Sequence, residues 1–191
     1  MLDKGKIIFL NGTSSSGKST LAIKLQEISE EIFYHVQLDT FCDMIHEKFF
    51  DSNFTGTEDL AATVMHNFIL SLSDNGKNVI VDTVIENHHE SWLKESVQLL
   101  HRMPVTFVKV TCPLEELERR ELQRGNRDIG LAKWQRSHMD FNDIYDLKVD
   151  TYKNSTEQCG KIILSRLNLN STENSAFGKL YRQYYGEYEH S

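Results

Sequence analysis

Proline, cysteine and basic residues are all in short supply. With 2 prolines and 10 glycines in 191 residues, the chain cannot be collagen-like or mucin-like, and its apolar content of 39% argues against a wholly disordered one. The three cysteines, Cys42, Cys112 and Cys159, lie far apart and form no C-x-x-C pair. Neither a disulfide framework nor a cysteine zinc site is expected, and reduced thiols fit a cytoplasmic setting. No charge-free apolar stretch approaches membrane-spanning length. The opening Met1-Leu2-Asp3-Lys4-Gly5-Lys6 lacks the long apolar run of a signal peptide. Lys and Arg number 21 against 28 Asp and Glu, a formal net charge of −7. A protein that coats nucleic acid or lies on a membrane surface carries the opposite bias. The expectation is a mildly acidic cytoplasmic protein, with neither membrane nor nucleic acid as a partner.

What the chain does have is alternation. Short apolar, β-branched runs at Lys6–Leu10, His35–Asp39, Asn78–Asp82, Val105–Thr111 and Asp146–Asp150 read as strands. Between and after them, segments 18–29, 40–50, 58–73, 91–102, 113–124 and 155–167 carry helical periodicity. Strands separated by helices imply right-handed crossovers, and so an α/β fold with a five-stranded parallel sheet flanked by helices. The length suits one main domain, set at residues 1–167. Residues 168–175 are polar and rich in Asn and Ser, a linker pattern. Beyond it, Phe177, Tyr181, Tyr184, Tyr185 and Tyr188 recur at helical spacing. That last helix either packs on its own domain or offers a surface for oligomerisation or another partner.

The first strand runs into Gly12-Thr13-Ser14-Ser15-Ser16-Gly17-Lys18-Ser19, a full match to G-x-x-x-x-G-K-[ST]. Glycines at 12 and 17 permit backbone conformations that a side chain would forbid, so successive amides can converge on one anion. Lys18 is positioned to reach the β- and γ-phosphates, and Ser19 to place a hydroxyl on Mg²⁺. The helix that starts there points its positive dipole end at the phosphates. The cradle is expected to span Gly12 to Thr20 and to hold a nucleoside triphosphate. ATP is the default, since no guanine-specific pattern is evident.

Three further features bear on the γ-phosphate. Asn78-Val79-Ile80-Val81-Asp82 is an apolar strand ending in a carboxylate, which either joins Ser19 in holding Mg²⁺ or caps the next turn. Asp39, read at the carboxyl end of the second strand, either accepts the proton of an attacking hydroxyl or caps the following helix. Arg120, Arg124 and Arg127 fall at i, i+4 and i+7. They suit a lid over residues 119–137 that stabilises charge on a transferring phosphoryl group, hinged at Gly125. The plainer alternative is a solvated helix face with a Glu116–Arg120 pair.

Taken together these segments resemble the chloramphenicol phosphotransferase family of small P-loop kinases. The resemblance rests on Ile7-Ile8-Phe9-Leu10-Asn11-Gly12 with Gly17-Lys18-Ser19, on Val36-Gln37-Leu38-Asp39-Thr40-Phe41, on Val79-Ile80-Val81-Asp82, on the Arg120–Arg127 segment and on Val149-Asp150-Thr151. It covers residues 6–167 in order. It implies a P-loop kinase fold, transfer of the γ-phosphate of Mg·ATP to a hydroxyl of a small molecule, and Asp39 as the base. Two departures stand out. The family pattern has paired carboxylates after the third strand, where this chain has Asp82-Thr83, and Val84-Ile85-Glu86-Asn87-His88-His89 is more polar than the family's segment. His88 and His89 border the expected acceptor pocket, and adjacent histidines alone do not have the spacing of a metal site. The acceptor stays open. A nucleoside, sugar or polynucleotide kinase, and a non-enzymatic nucleotide-dependent switch, are the alternatives.

Overall fold

β1 (Ile7–Asn11) is buried at every position, and its period of two explains the layering of the molecule. In the computed structural model, which describes residues 3–124, 130–139, 142–167 and 171–186, Ile7 and Phe9 face one core while Ile8 and Leu10 face the other. The next elements are α1 (Lys18–Ile28), β2 (Phe33–Gln37), α2 (Leu38–Cys42), α3 (Lys48–Ser52), α4 (Phe54–Asp74) and β3 (Asn78–Thr83). They are followed by α5 (Glu90–Leu100), β4 (Val105–Thr111), α6 (Leu114–Arg124), α7 (Leu131–Ser137), β5 (Leu147–Asp150), α8 (Thr156–Leu164) and α9 (Ala176–Tyr185). The five strands pair in parallel in the order β2-β3-β1-β4-β5. The expected five-stranded parallel sheet with helices on both faces is what the chain forms.

Leu21, Ala22 and Leu25 of α1 and Cys159 and Ile163 of α8 cover the Ile8–Leu10 face. The opposite face packs on Met65 and Ile69 of α4, Leu93 and Val97 of α5, and Phe177 and Leu180 of α9. Phe9 meets Phe107 edge-on at 5.6 Å, and Phe177 completes the cluster at 5.4 and 5.3 Å from the two. Edge-to-face arrangements of this kind suit the aromatic quadrupole. Part of the aromatic side of α9 packs on its own chain: Tyr181 stacks on His101 at 3.7 Å, and the Tyr185 hydroxyl donates to the Lys94 carbonyl while its ring stays exposed; Tyr188 lies outside the described residues. Among the described residues no helix is long and apolar enough to cross a membrane.

The register brings the strand ends into line. Asn11 pairs with Thr83 on β3 and with Lys109 on β4, so the loops after β1, β3 and β4 open on the same edge, where open parallel sheets bind ligands. Three features differ from the sequence expectation. β2 stops at Gln37, and Asp39 stands in the first turn of α2, not at a strand end. The expected helix over 40–50 is two short ones, α2 and α3. Meanwhile α4 begins at Phe54, four residues early, because the Asn53 side chain accepts from the Gly56 amide and caps it.

Candidate functional site

Between the last residue of β1 and the first of α1, residues 12–17 bend back on themselves. Gly12 has no need of a left-handed conformation. It is glycine because a Cβ there would run into the Val110 carbonyl oxygen of β4. Gly17 does need one, with φ +92°, and Ser15, at φ +60°, is the one non-glycine among the described residues in that region. The Ser15 and Ser16 hydroxyls are buried without a hydrogen-bond partner, which is costly unless something polar is meant to meet them. The Ser14 amide donates to the side-chain oxygen of Gln135 on α7 at 2.6 Å.

Lys18, 7% exposed, folds back over this loop. Its Nζ donates to the carbonyls of Gly12 and Thr13 at 2.9 and 3.0 Å and lies 3.8 Å from Asp82 Oδ1. Ser19 Oγ donates to Asp82 Oδ2 at 2.6 Å, and Gln37 Nε2 donates to the same oxygen at 3.2 Å. Burial pushes the Asp82 carboxyl up, but His35 at 3.7 Å, the Lys18 ammonium and the Ser19 hydroxyl outweigh it and bring it down to about 2. Asp82 is therefore an anion at any physiological pH. Its pairing with a hydroxyl at a helix start is a hard-oxygen donor set of the kind Mg²⁺ takes, one carboxylate with room left for phosphate oxygens. Ser19 and Asp82 fit that ion.

Arg120 reaches the loop from the other side. Its guanidinium donates to Thr151 Oγ1 and to the Thr151 carbonyl, both at 3.1 Å, and to the Ser15 carbonyl at 3.4 Å. Thr151 Oγ1 in turn donates to the Ser16 carbonyl at 2.7 Å. The Glu116–Arg120 pair is present too, at 2.8 Å, so the arginine serves both the helix face and the loop. With Thr20, Gln123 and Thr156 it borders a second cleft beside the loop. Arg124 ends α6, and Arg127 lies outside the described residues. Glu121, 1% exposed, accepts from the amides of Gly130 and Ala132 at 3.1 and 2.6 Å, so that α6 caps α7 and fixes Gln135 over the loop.

The main cleft runs from Lys18, Ser19 and Asp82 to Asp39, Glu58, Glu86, His89 and Trp92. Asp39 is exposed there, facing the same space as the phosphate loop. The segment after β3 is pinned by Asn11, whose side chain accepts from the Ile85 amide at 2.9 Å and donates to the Tyr145 hydroxyl at 3.0 Å. It also meets the C-terminal end of α7, where the Asn87 amide donates to the His138 carbonyl. The 3-10 turn at Asn87–His89 gathers Glu86, His88 and His89 so that their ligand atoms lie within 4.8 Å of one another, a grouping that two adjacent histidines did not suggest. Glu58, Trp92 and Gln135 were not singled out from the sequence either. Each belongs to a helix whose periodicity explains it as packing, and only the tertiary fold brings it to the cleft.

The family described as chloramphenicol phosphotransferase-like protein matches residues 5–168. A Mycobacterium tuberculosis protein named as an O-phosphotransferase is 31% identical, over 78% of this chain and 76% of that protein. Among solved structures, an unliganded sugar kinase from a Janibacter species superposes with a TM-score of 0.64 at 15% identity, covering 84% of this chain and 93% of that one. The M. tuberculosis APS kinase, in complex with AMPPNP and APS, gives 0.61 at 17% identity, covering 85% and 96%. The structural likenesses place the fold among P-loop kinases.

Proposed function

The chain belongs to the chloramphenicol phosphotransferase-like family and is a phosphotransferase acting on a hydroxyl; from that premise we propose that it transfers the γ-phosphate of ATP to a small molecule held between Asp39 and the loop after β3. One observation carries the reading. Ser19, Asp82 and Lys18 are joined within 2.6–3.8 Å at the head of α1, at the mouth of a cleft whose far wall carries Asp39. The adenine nucleotide analogue in the APS kinase of the same fold agrees with ATP as donor.

The amides of residues 12–20 and the dipole of α1 hold the triphosphate. Lys18 leaves its carbonyl partners to meet the β- and γ-oxygens. Ser19 and Asp82 would hold Mg²⁺, which would supply positive charge to the triphosphate when bound. Asp39 orients the acceptor hydroxyl and takes its proton as the oxygen forms its bond to phosphorus and the bond to the leaving ADP oxygen breaks. Arg120, with Arg124 and Arg127 of the lid over 119–137, stabilises charge on the moving phosphoryl group. The lid itself keeps water out.

The test is transfer of label from γ-labelled Mg·ATP to a panel of chloramphenicol, aminoglycosides, macrolides, nucleosides and sugars, with Lys18→Ala as blank. Label on one chemical class, absent from the blank, is the expected result. Turnover of ATP by water alone, equally fast with every compound, would overturn it.

A further inference from the structure

The half of the cleft that faces away from the phosphate loop is acidic, and among the described residues only histidines stand against that charge. Asp39, Glu58 and Glu86 all line it. Its one lysine is Lys18, already committed to loop carbonyls and Asp82. Among the described residues no arginine lines this cleft. Glu86 is the informative group: it is 5% exposed, and the nearest ionisable side chain to it is the half-exposed His88, 3.4 Å from Oε2. Glu58 Oε2 lies 3.6 Å from His89 Nε2. The His89 ring lies flat on Trp92, 3.6 Å away and 7° from parallel. Its Nδ1 is buried with no hydrogen-bond partner.

A carboxylate this buried is costly to keep charged unless a cation or several donors meet it. An acceptor that fills the cleft removes the remaining water from Glu86 and Glu58. A neutral acceptor leaves that charge uncompensated, and an anionic one adds repulsion. A protonated amine reverses the balance, because each ammonium N–H to carboxylate bond is charge-assisted. Resting on the phosphotransfer reading above, we propose that the acceptor is an amine-bearing hydroxyl compound. Glu86 and Glu58 hold its ammonium group, the free His89 nitrogen takes one further hydrogen bond, and the hydroxyl is presented to Asp39.

Isothermal titration in the presence of Mg·AMPPNP tests this with matched pairs: glucosamine, 2-deoxystreptamine and kanamycin, each against its N-acetylated counterpart, with gluconate as an anionic control. At least one amine should bind about 10-fold or more tightly than its acetylated partner. Glu86→Gln should erase that preference. Because Glu86 is buried, the more accessible Glu58→Gln provides a second variant, and the preference in the unsubstituted protein stands without either. Equal or tighter binding of the acetylated compounds or gluconate would overturn the proposal. So would no amine binding at all, or binding that appears only with added Zn²⁺, which would assign Glu86, His88 and His89 to a metal. Titration of Mg·AMPPNP alone separates the two readings. If the nucleotide does not bind, the phosphate site is misread; if it binds and the amines do not, the charge-based assignment alone fails.

Discussion

A lysine buried to 7% exposure beside a carboxylate held at about 2 ties the charge of the site to the stability of the fold. The folded Asp82 carboxyl lies below its ordinary value of 3.8, so the native state binds its proton less readily than the unfolded chain. Its contribution is complete above about pH 5 and is lost as pH falls from there toward 2, roughly 2 kcal/mol in all. Urea unfolding at pH 5, 4 and 3 should show a steeper loss in the unsubstituted protein than in Asp82→Asn, and equal slopes would remove Asp82 from the account. For catalysis, Lys18→Ala should lower kcat by at least about 100-fold. Asp39→Asn should lower it by roughly 100- to 10,000-fold while ATP affinity stays within a few-fold. Loss of nucleotide binding in the Asp39 variant would mark the residue as structural. The placement of Lys18 and Ser19 was legible because loop chemistry fixes residue types at fixed spacing, and that of Asp82 because an apolar strand ends on it. Glu58 and Gln135 were not, because a polar residue on a packed helix carries no local sign of what it faces.

Among the elements, those read best from sequence are the ones whose local pattern and tertiary role coincide. β1, β3 and β4 are buried on both faces and read as apolar runs. The sequence reading carries β2 on to Asp39 because Leu38 and Asp39 continue an alternating pattern, but the strand ends at Gln37 and Asp39 stands in the first turn of α2, where the helix dipole favours a carboxylate. The start of α4 was missed because its cap, Asn53, stands before Phe54-Thr55-Gly56, a stretch with weak helix propensity. Gly56 is what makes the cap possible, since a Cβ there would collide with the Asn53 side chain. The joint between α6 and α7 gives a prediction at this scale. Glu121→Ala removes both acceptors from the α7 amides, worth about 1–2 kcal/mol. Hydrogen exchange at 131–135 should then accelerate about 10-fold, with little change in the sheet. Unchanged exchange there would mean that α7 is held by its packing alone.

Taken whole, the molecule depends on its last helix more than its sequence suggested. The linker-like polarity of 168–175 reads as a boundary, yet Phe177 is fully buried between Phe9 and Phe107, in the core beneath the phosphate loop. Phe177→Ala should cost about 3–5 kcal/mol of unfolding free energy, measured by denaturant melts, and truncation before α9 should be worse. A loss under 1 kcal/mol would mean that α9 is an appendage. Long-range closure of this sort is invisible to periodicity, which ranks a face as apolar without saying which chain will cover it.

Asn11 sits at the hub of this arrangement, one residue before the loop, with one hand on Ile85 and the other on Tyr145. Its effect is that of a jig. On the phosphotransfer reading proposed above, these two hydrogen bonds tie the spacing between the phosphate cradle and the Val84–His89 wall to the sheet itself. A change of acceptor in this scaffold therefore has to come through the side chains of that wall, or through the opposite helices α2 and α4, and not through sliding of the wall's backbone.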